Sequence, residues 1–510
     1  MAFGGKPSRF APEKFYGNEL LQRVSGSRPV IRQLIGHTAA YTFANIVSRG
    51  TILVWLIVLP AFLSTAEYGV LGLIMTTAAL VNVLVPLEVT QGYARYYPTA
   101  PDREKRSYAA TASTFTLAAL AAPAGAAWLF APWLNGLLFG GHGYVTVFRI
   151  AVGFFALNTG FYFVQNQFRW DFRARDYTIV TMLFAVVTLA GSIGLAAMLP
   201  DALLGVVLGL ALGTGTGLAL GLLRLRDTLA LGIDSAKLKR MLRFSLPLVP
   251  GSMAILLSTY ASRFILNDLL SLRDVGLFTW ASQIATIPAL LLLGVQAALT
   301  PMVMRHHADP QTRIVIARSF EAIVAVELLL CLGLGMFTPE FIGLLGYASY
   351  AAAGPLVMLL APAYLMLQLY VFAPGFAIGE RTELQLVVSV AGGVAAVAFN
   401  YILVGAIGLP GAALATLASS ALFIGSWFFF SNRLYPVPIR WAKVGGLALM
   451  IALCALVALR TSALSPPLAF AAKAGLLTLA AIAVLVLGFV HWGHVRSLLE
   501  WRRTSGGAAS

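Results

Sequence analysis

Charge is what this sequence has least of. Only 11% of its 510 residues are Asp, Glu, Lys or Arg, against about 25% in an ordinary soluble domain. With 59% of the chain drawn from AVILMFWYC, a water-soluble fold of this size is excluded. Acidic residues are scarcest, 20 against 35 Lys plus Arg. Cysteine is nearly absent: Cys331 and Cys454 both lie inside apolar runs, where a small buried thiol is the expected state, so neither a disulfide framework nor a thiolate metal site is indicated. Long polar segments are missing too. The longest connections on one side, roughly 131–144 and 338–354, are too short for a folded extramembrane domain, which argues against an enzyme with an arranged catalytic region. No GxxxxGK[ST] run occurs, so ATP hydrolysis through a phosphate loop is not expected. His306 and His307 are adjacent and lack metal-ligand spacing. No cofactor is expected.

What is present is a series of apolar stretches near the 20 residues that span a bilayer as a helix, running from His37 to His491. The fold class predicted is all-α: a polytopic membrane protein with about fourteen transmembrane helices. They begin near residues 38, 69, 108, 145, 177, 202, 245, 275, 314, 354, 384, 411, 442 and 468. The expected organisation is a tail over 1–36, a six-helix bundle over 37–224, a basic linker over 225–244 and a second six-helix bundle over 245–433. Helices 13 and 14 follow over 434–491 and a tail over 492–510. The two bundles are expected to be pseudo-symmetric around a central cavity. The first 36 residues show no apolar core followed by a cleavage site, so no cleaved signal peptide is expected.

All but six of the 35 cations fall in the two tails or in one set of alternate loops, the exceptions being Arg49, Arg149, Arg263, Arg273, Arg460 and Lys473. The positive-inside rule then puts both termini in the cytoplasm. Topology thus accounts for the net charge of +15, with no place for nucleic acid. The loops would instead attract anionic membrane lipids, at roughly 1 kcal/mol per Lys or Arg.

A charge at the centre of a span costs roughly 2.5–3.5 kcal/mol on insertion scales, so residues kept there are functional candidates. Arg49 lies well inside the first span and Arg263 in the seventh, nearer its outer end and close in sequence to Asp268. Both are permanently protonated guanidiniums, suited to phosphate oxygens, and they imply an anionic substrate. Arg149 opens the fourth span. Glu88, Glu321 and Glu327 lie in spans and are possible ion-coupling sites; for these and Arg149 a structural ion pair is equally open. Asn45, Gln91, Asn158, Gln165, Gln167, Gln283, Gln296, Gln368 and Asn400 add uncharged polarity, which serves either hydrogen bonding between helices or a groove that accepts sugar hydroxyls. The substrate-binding candidates are Arg49, Arg263, Arg149, Asn45, Gln91 and Gln296.

Gly205, Gly209, Gly213, Gly217 and Gly221 recur every four residues in the sixth span, a smooth face for close helix approach. Prolines such as Pro86, Pro247, Pro250, Pro288, Pro362 and Pro374 lie in or at the ends of spans, where freed carbonyls become bend points. A weak internal repeat relates the first and seventh spans and their successors: an Arg-bearing helix, a short loop, Tyr68-Gly69 or Val275-Gly276, then a long helix to Gln91 or Gln296. The arginines themselves do not superpose.

Five segments in this order resemble the Wzx-like oligosaccharide flippases, the polysaccharide transporter family of the multidrug/oligosaccharidyl-lipid/polysaccharide exporter superfamily. They are LSTAEYGVLGLI (63–74), GYARYYP (92–98), FSLPLVPGSMAILLSTYASRFIL (244–266), DVGLFTWASQIA (274–285) and GLPGAALATLAS (408–419). The family usually has Asp before the seventh-span Arg, where this chain has Ser262. The resemblance implies alternating-access export of an undecaprenyl-diphosphate-linked oligosaccharide across a bacterial inner membrane, for surface or exopolysaccharide assembly. It further implies a polysaccharide polymerase and chain-length or export proteins as partners. A lipid II flippase, a drug/cation antiporter of the same fold and, in another class, a membrane-embedded polysaccharide polymerase are the rival readings.

Overall fold

The computed structural model describes residues 50–489, apart from 52, 142, 229 and 462–464. All regular structure among the described residues is helical. A helical stretch over 53–58 enters a 3₁₀ turn, Leu59–Ala61, with Pro60 inside it. Ser64 then caps α1 (Thr65–Leu84): its hydroxyl accepts from the Glu67 amide, and the Glu67 carboxylate accepts from the Ser64 amide at 2.8 Å. This reciprocal box satisfies two of the N–H groups that a helix start leaves open. α2 (Val89–Tyr96) continues the span after a break. α3 (Asp102–Leu129), α4 (Ala131–Phe139), α5 (Val145–Trp170), α6 (Ala174–Met198) and α7 (Ala202–Arg224) complete the first half. The 131–144 connection is therefore a helix with Trp133 and Leu137 exposed, rather than a plain loop. Its apolar surface suits the headgroup boundary.

The second half contains α8 (Ser235–Ser245), α9 (Val249–Leu269), α10 (Leu272–Ala285), α11 (Leu290–His306), α12 (Pro310–Leu345), α13 (Gly354–Gln368), α14 (Thr382–Ile407) and α15 (Leu409–Leu434). α16 (Trp441–Arg460) and α17 (Pro466–Val486) pack on α12 and on each other. Among the described residues twelve helices are long and apolar enough to cross a membrane, or thirteen if the bent pair α10 and α11 counts as one span. The protein is an all-α, multi-pass membrane protein. The first expected span lies mostly outside the described residues.

Small residues decide how the helices meet. An added Cβ on Gly205, Gly209 or Gly213 would run into the α6 backbone near Leu195, Ser192 and Thr188, whereas Gly217 and Gly221 face the α5 side chains of Phe161 and Val164. Four residues turn a helix through about 400°, so each step drifts roughly 40°. That drift carries the glycine face from α6 round to α5. In the second half α9 lies on α14 with Gly393 against the Ala254 backbone, and α12, α13 and α15 pack together.

The two halves join through α1 against α10 and α9. Ser271 caps α10 as Ser64 caps α1, with Asp274 in the place of Glu67. Gly69 and Gly276 meet reciprocally: a Cβ on Gly69 would lie 2.0 Å from the Leu272 carbonyl oxygen, and one on Gly276 would lie 1.7 Å from that of Thr65. The glycines that mark the internal repeat thus touch each other across its pseudo-two-fold. Three donors of the second half also reach carbonyls of 56–63. Trp280 Nε1 donates to Leu56 at 3.0 Å, Tyr347 Oη to Ile57 at 2.7 Å and Tyr350 Oη to Leu63 at 3.1 Å. This end of the molecule is sealed by backbone contact and by a clasp.

Candidate functional site

Arg263 sits beneath that seal. Its position on α9 puts the side chain at the junction with α10 and α1, 8% exposed. Nε donates to Thr279 Oγ1 at 3.2 Å, and Thr279 in turn fills the space opposite Gly72 of α1. The guanidinium carbon is 5.3 Å from the Tyr260 ring and 6.0 Å from that of Phe278, within cation–π range. No described carboxylate, Asp268 included, forms an ion pair with it. Arg263 Nη1 is buried without a hydrogen-bond partner among the described residues, and so are the hydroxyl of Tyr68 and Oε1 of Gln283. Tyr68 lies beside Gln283 and within electrostatic reach of Arg263. Buried polar groups are almost always paired, so a guanidinium nitrogen of fixed positive charge left open beside Tyr68 and Gln283, which can pair with each other, marks a place able to meet a polar group.

A second polar feature lies within the first half. Asn82 of α1, Asn158, Phe161, Tyr162, Gln165 and Arg169 of α5, and Tyr177, Thr181 and Phe184 of α6 line a cavity of about 190 Å³. Thr159 Oγ1 donates to Asn82 Oδ1 at 2.6 Å, Gln165 Nε2 to Thr181 Oγ1 at 3.1 Å and Arg169 Nη2 to the Tyr177 hydroxyl at 2.8 Å. These bonds engage one end of each amide and leave the Asn82 amino group and the Gln165 carbonyl without a hydrogen bond among the described residues. Amides between aromatic rings suit sugar hydroxyls and the apolar face of a sugar ring. The volume is below the roughly 300 Å³ at which drug-sized pockets begin, which fits one ring rather than a chain.

The remaining candidates are placed as follows. Arg49 and Asn45 lie outside the described residues. Arg149 is half-buried on α5, its guanidinium 4.9 Å from the Trp128 ring of α3 and its Nε without a hydrogen-bond partner among the described residues. Glu88 is buried at the break in the second span, where Pro86 is followed by Leu87 and Glu88 at φ +51° and +53°. Two successive left-handed residues that are not glycine store strain, which persists where the surroundings impose it. Gln91, just beyond, is exposed. Gln296 donates to the Tyr370 hydroxyl at 3.1 Å. The break between α10 and α11 bends that span by 44° next to Pro288, so both members of the repeat carry a proline-associated interruption.

The carboxylates differ sharply. Glu321 is held by Arg440 through two bonds from Nε, at 3.0 and 3.1 Å, one from Nη2 and one from the Arg440 amide. Glu327, six residues further along α12, is fully buried with neither oxygen hydrogen-bonded among the described residues. Burying an ionised carboxylate without a partner costs several kcal/mol. Glu321 and Glu327 thus stand in opposite surroundings on one helix.

Sequence reasoning reached Arg263, Gln165 and Asn158 but not Thr279, Tyr68 or Asn82. The pattern S-x-x-[DE]-x-G, at 64–69 and again at 271–276, is the local signal that would have found the α1–α10 junction.

The sequence model of a family described as polysaccharide biosynthesis protein matches residues 35–307, more than half of the chain. The chain belongs to the polysaccharide biosynthesis protein family. Among curated proteins none matches the sequence significantly. Among solved structures, the family member is similar to the lipid II flippase MurJ in an inward closed conformation, with a TM-score of 0.67 and 10% identity over 88% of this chain and 98% of that one. It is also similar to an inward-facing multidrug resistance MATE transporter of the MOP superfamily, with a TM-score of 0.60 and 15% identity over 77% and 94% of the two chains. At these identities the likeness is one of fold. This member of the polysaccharide biosynthesis family therefore shares the fold of these two structures.

Proposed function

We propose that this protein is a flippase that moves a polyprenyl-diphosphate-linked oligosaccharide repeat unit from the cytoplasmic to the periplasmic face of a bacterial inner membrane, by alternating access, for surface polysaccharide assembly. In this reading both termini are cytoplasmic and the α1–α10 seal faces the periplasm. The observation that carries it is Arg263, buried where the halves meet, with one guanidinium nitrogen open and no ion pair to an acid among the described residues. A diphosphate leaving water needs such a charge, and Arg49 in the first span is the second cation assigned to it. The amide and aromatic cavity of α5 and α6 supports a sugar-bearing cargo, with Arg149, Gln91, Gln296 and Asn45 along the path. A cationic drug would want exposed acids, and Glu321 is already engaged by Arg440. Glu327 is assigned to proton coupling, and polymerase and export proteins are the downstream partners.

The test is transport of fluorescently labelled lipid-linked oligosaccharide in proteoliposomes. Arg263→Ala is expected to slow transport at least tenfold, since truncating one partner of a buried charge contact costs about 2 kcal/mol or more, while a cationic dye remains untransported by either protein. Wild-type export of the dye without the glycolipid would overturn the assignment in favour of an antiporter; transport of lipid II in preference to other glycolipids would narrow it to peptidoglycan synthesis.

A further inference from the structure

A cavity of about 500 Å³ opens between the basic-side ends of α12, α16 and α17, lined by none of the residues assigned to cargo. Its wall carries Arg318, Arg440 and Lys443 against a single acid, Glu321. Arg440 spends Nε and Nη2 on Glu321 and leaves Nη1 open. Lys443 Nζ donates once, to the Gly488 carbonyl at 3.0 Å, while resting 4.0 Å from the centre of the Phe489 ring. Arg318 is exposed and makes no ion pair among the described residues. Glu321 and Gly488 thus fix Arg440 and Lys443 in place, and the cavity keeps a net charge of two positive.

The other side of the same cavity is apolar. Val486 and Leu487 line it and are 80% and 50% exposed, and α16 and α17 continue that surface with exposed Leu449, Leu453, Leu479 and Leu485. Trp441, 47% exposed at the first turn of α16, marks the depth at which indoles prefer the headgroup layer. Cations at headgroup level above an apolar wall match one molecule of the bilayer: a phosphate with acyl chains below it. A free phosphate would use the cations and ignore the wall.

We infer that this cavity is a binding site for an anionic phospholipid, with the phosphate held by Arg318, Arg440 and Lys443 and an acyl chain laid along Val486 and Leu487. The site fastens α16 and α17 to α12 through a lipid and is independent of what the protein transports. Basic pockets between helices on the cytoplasmic side are suited to such headgroups.

The test uses the full-length protein in detergent, with phosphatidylglycerol, phosphatidylcholine or inorganic phosphate titrated in and retained lipid counted by native mass spectrometry. Wild type is expected to retain phosphatidylglycerol over phosphatidylcholine. Each of Arg318→Gln and Lys443→Gln is expected to lower that retention about fivefold, and the control Arg103→Gln/Arg106→Gln to leave it unchanged. Arg318 is exposed and unpaired, so its variant keeps the fold and the comparison stands on it alone. Equal retention by the Arg318→Gln variant and wild type, or displacement of phosphatidylglycerol by millimolar inorganic phosphate, would overturn the assignment.

Discussion

Two glutamates on one helix show how little a residue's type says without its neighbours. Glu321 and Glu327 are six positions apart in α12, and their side chains meet opposite circumstances: a guanidinium and a backbone amide for the first, no described hydrogen-bond partner for the second. A carboxylate locked to arginine is a fastening. One buried without a described partner is the residue to which the proposed function assigns proton coupling, because its charged form demands a partner or water. Glu327→Gln keeps the shape and removes the ionisable oxygen. In proteoliposomes with an imposed pH gradient, wild-type transport is expected to rise with the gradient. That of Glu327→Gln is expected to stay at its no-gradient rate, with Glu321→Gln responding like wild type. A gradient response retained in Glu327→Gln would move the coupling to another residue, Glu88 being next.

At the scale of elements, glycine spacing carries more structure than hydrophobicity does. The ladder from Gly205 to Gly221 was legible as a packing face, although its drift from α6 to α5 became clear only with the neighbours in place. A Cβ on Gly209 would fall 2.2 Å from the Ser192 amide nitrogen, whereas one on Gly215 would meet only Leu157 Cδ1, at 3.6 Å. Backbone cannot yield as a side chain does, so Gly209→Val is expected to destabilise the α6–α7 hairpin by roughly 1–3 kcal/mol or more. Gly215→Ala is expected to be neutral. Thermal unfolding in detergent separates them; equal melting temperatures would show that α7 shifts freely against α6. The spans were legible because bilayer thickness fixes their length, and the repeat because capping and close approach restrict residue choice at Ser64, Glu67 and Gly69. The Glu321–Arg440 pair and the cavity around Asn82 and Gln165 were not. Both join side chains separated by more than 75 positions, and no periodicity along one helix records which distant helix it will face.

For the molecule as a whole, the proposed function makes the sealed end the element that has to move. Transport by alternation needs two arrangements of the halves differing by only a few kcal/mol. In the arrangement described here, Gly69 against Gly276 and the clasp from Trp280, Tyr347 and Tyr350 hold one end shut. Phenylalanine keeps the ring contacts of both tyrosines, so Tyr347→Phe/Tyr350→Phe removes two hydrogen bonds and leaves the packing. At about 1 kcal/mol per bond, the open form should gain roughly 2 kcal/mol, a population shift of about thirtyfold. A reporter beneath the seal reads this directly: Thr279→Cys, in a background where Cys331 and Cys454 are serine, treated from the outside with a membrane-impermeant maleimide. Labelling is expected to be slow with the clasp intact and at least tenfold faster in the double variant. Were the rates equal, the reciprocal glycine contact alone would hold the end closed, and opening would have to begin by separating α1 from α10.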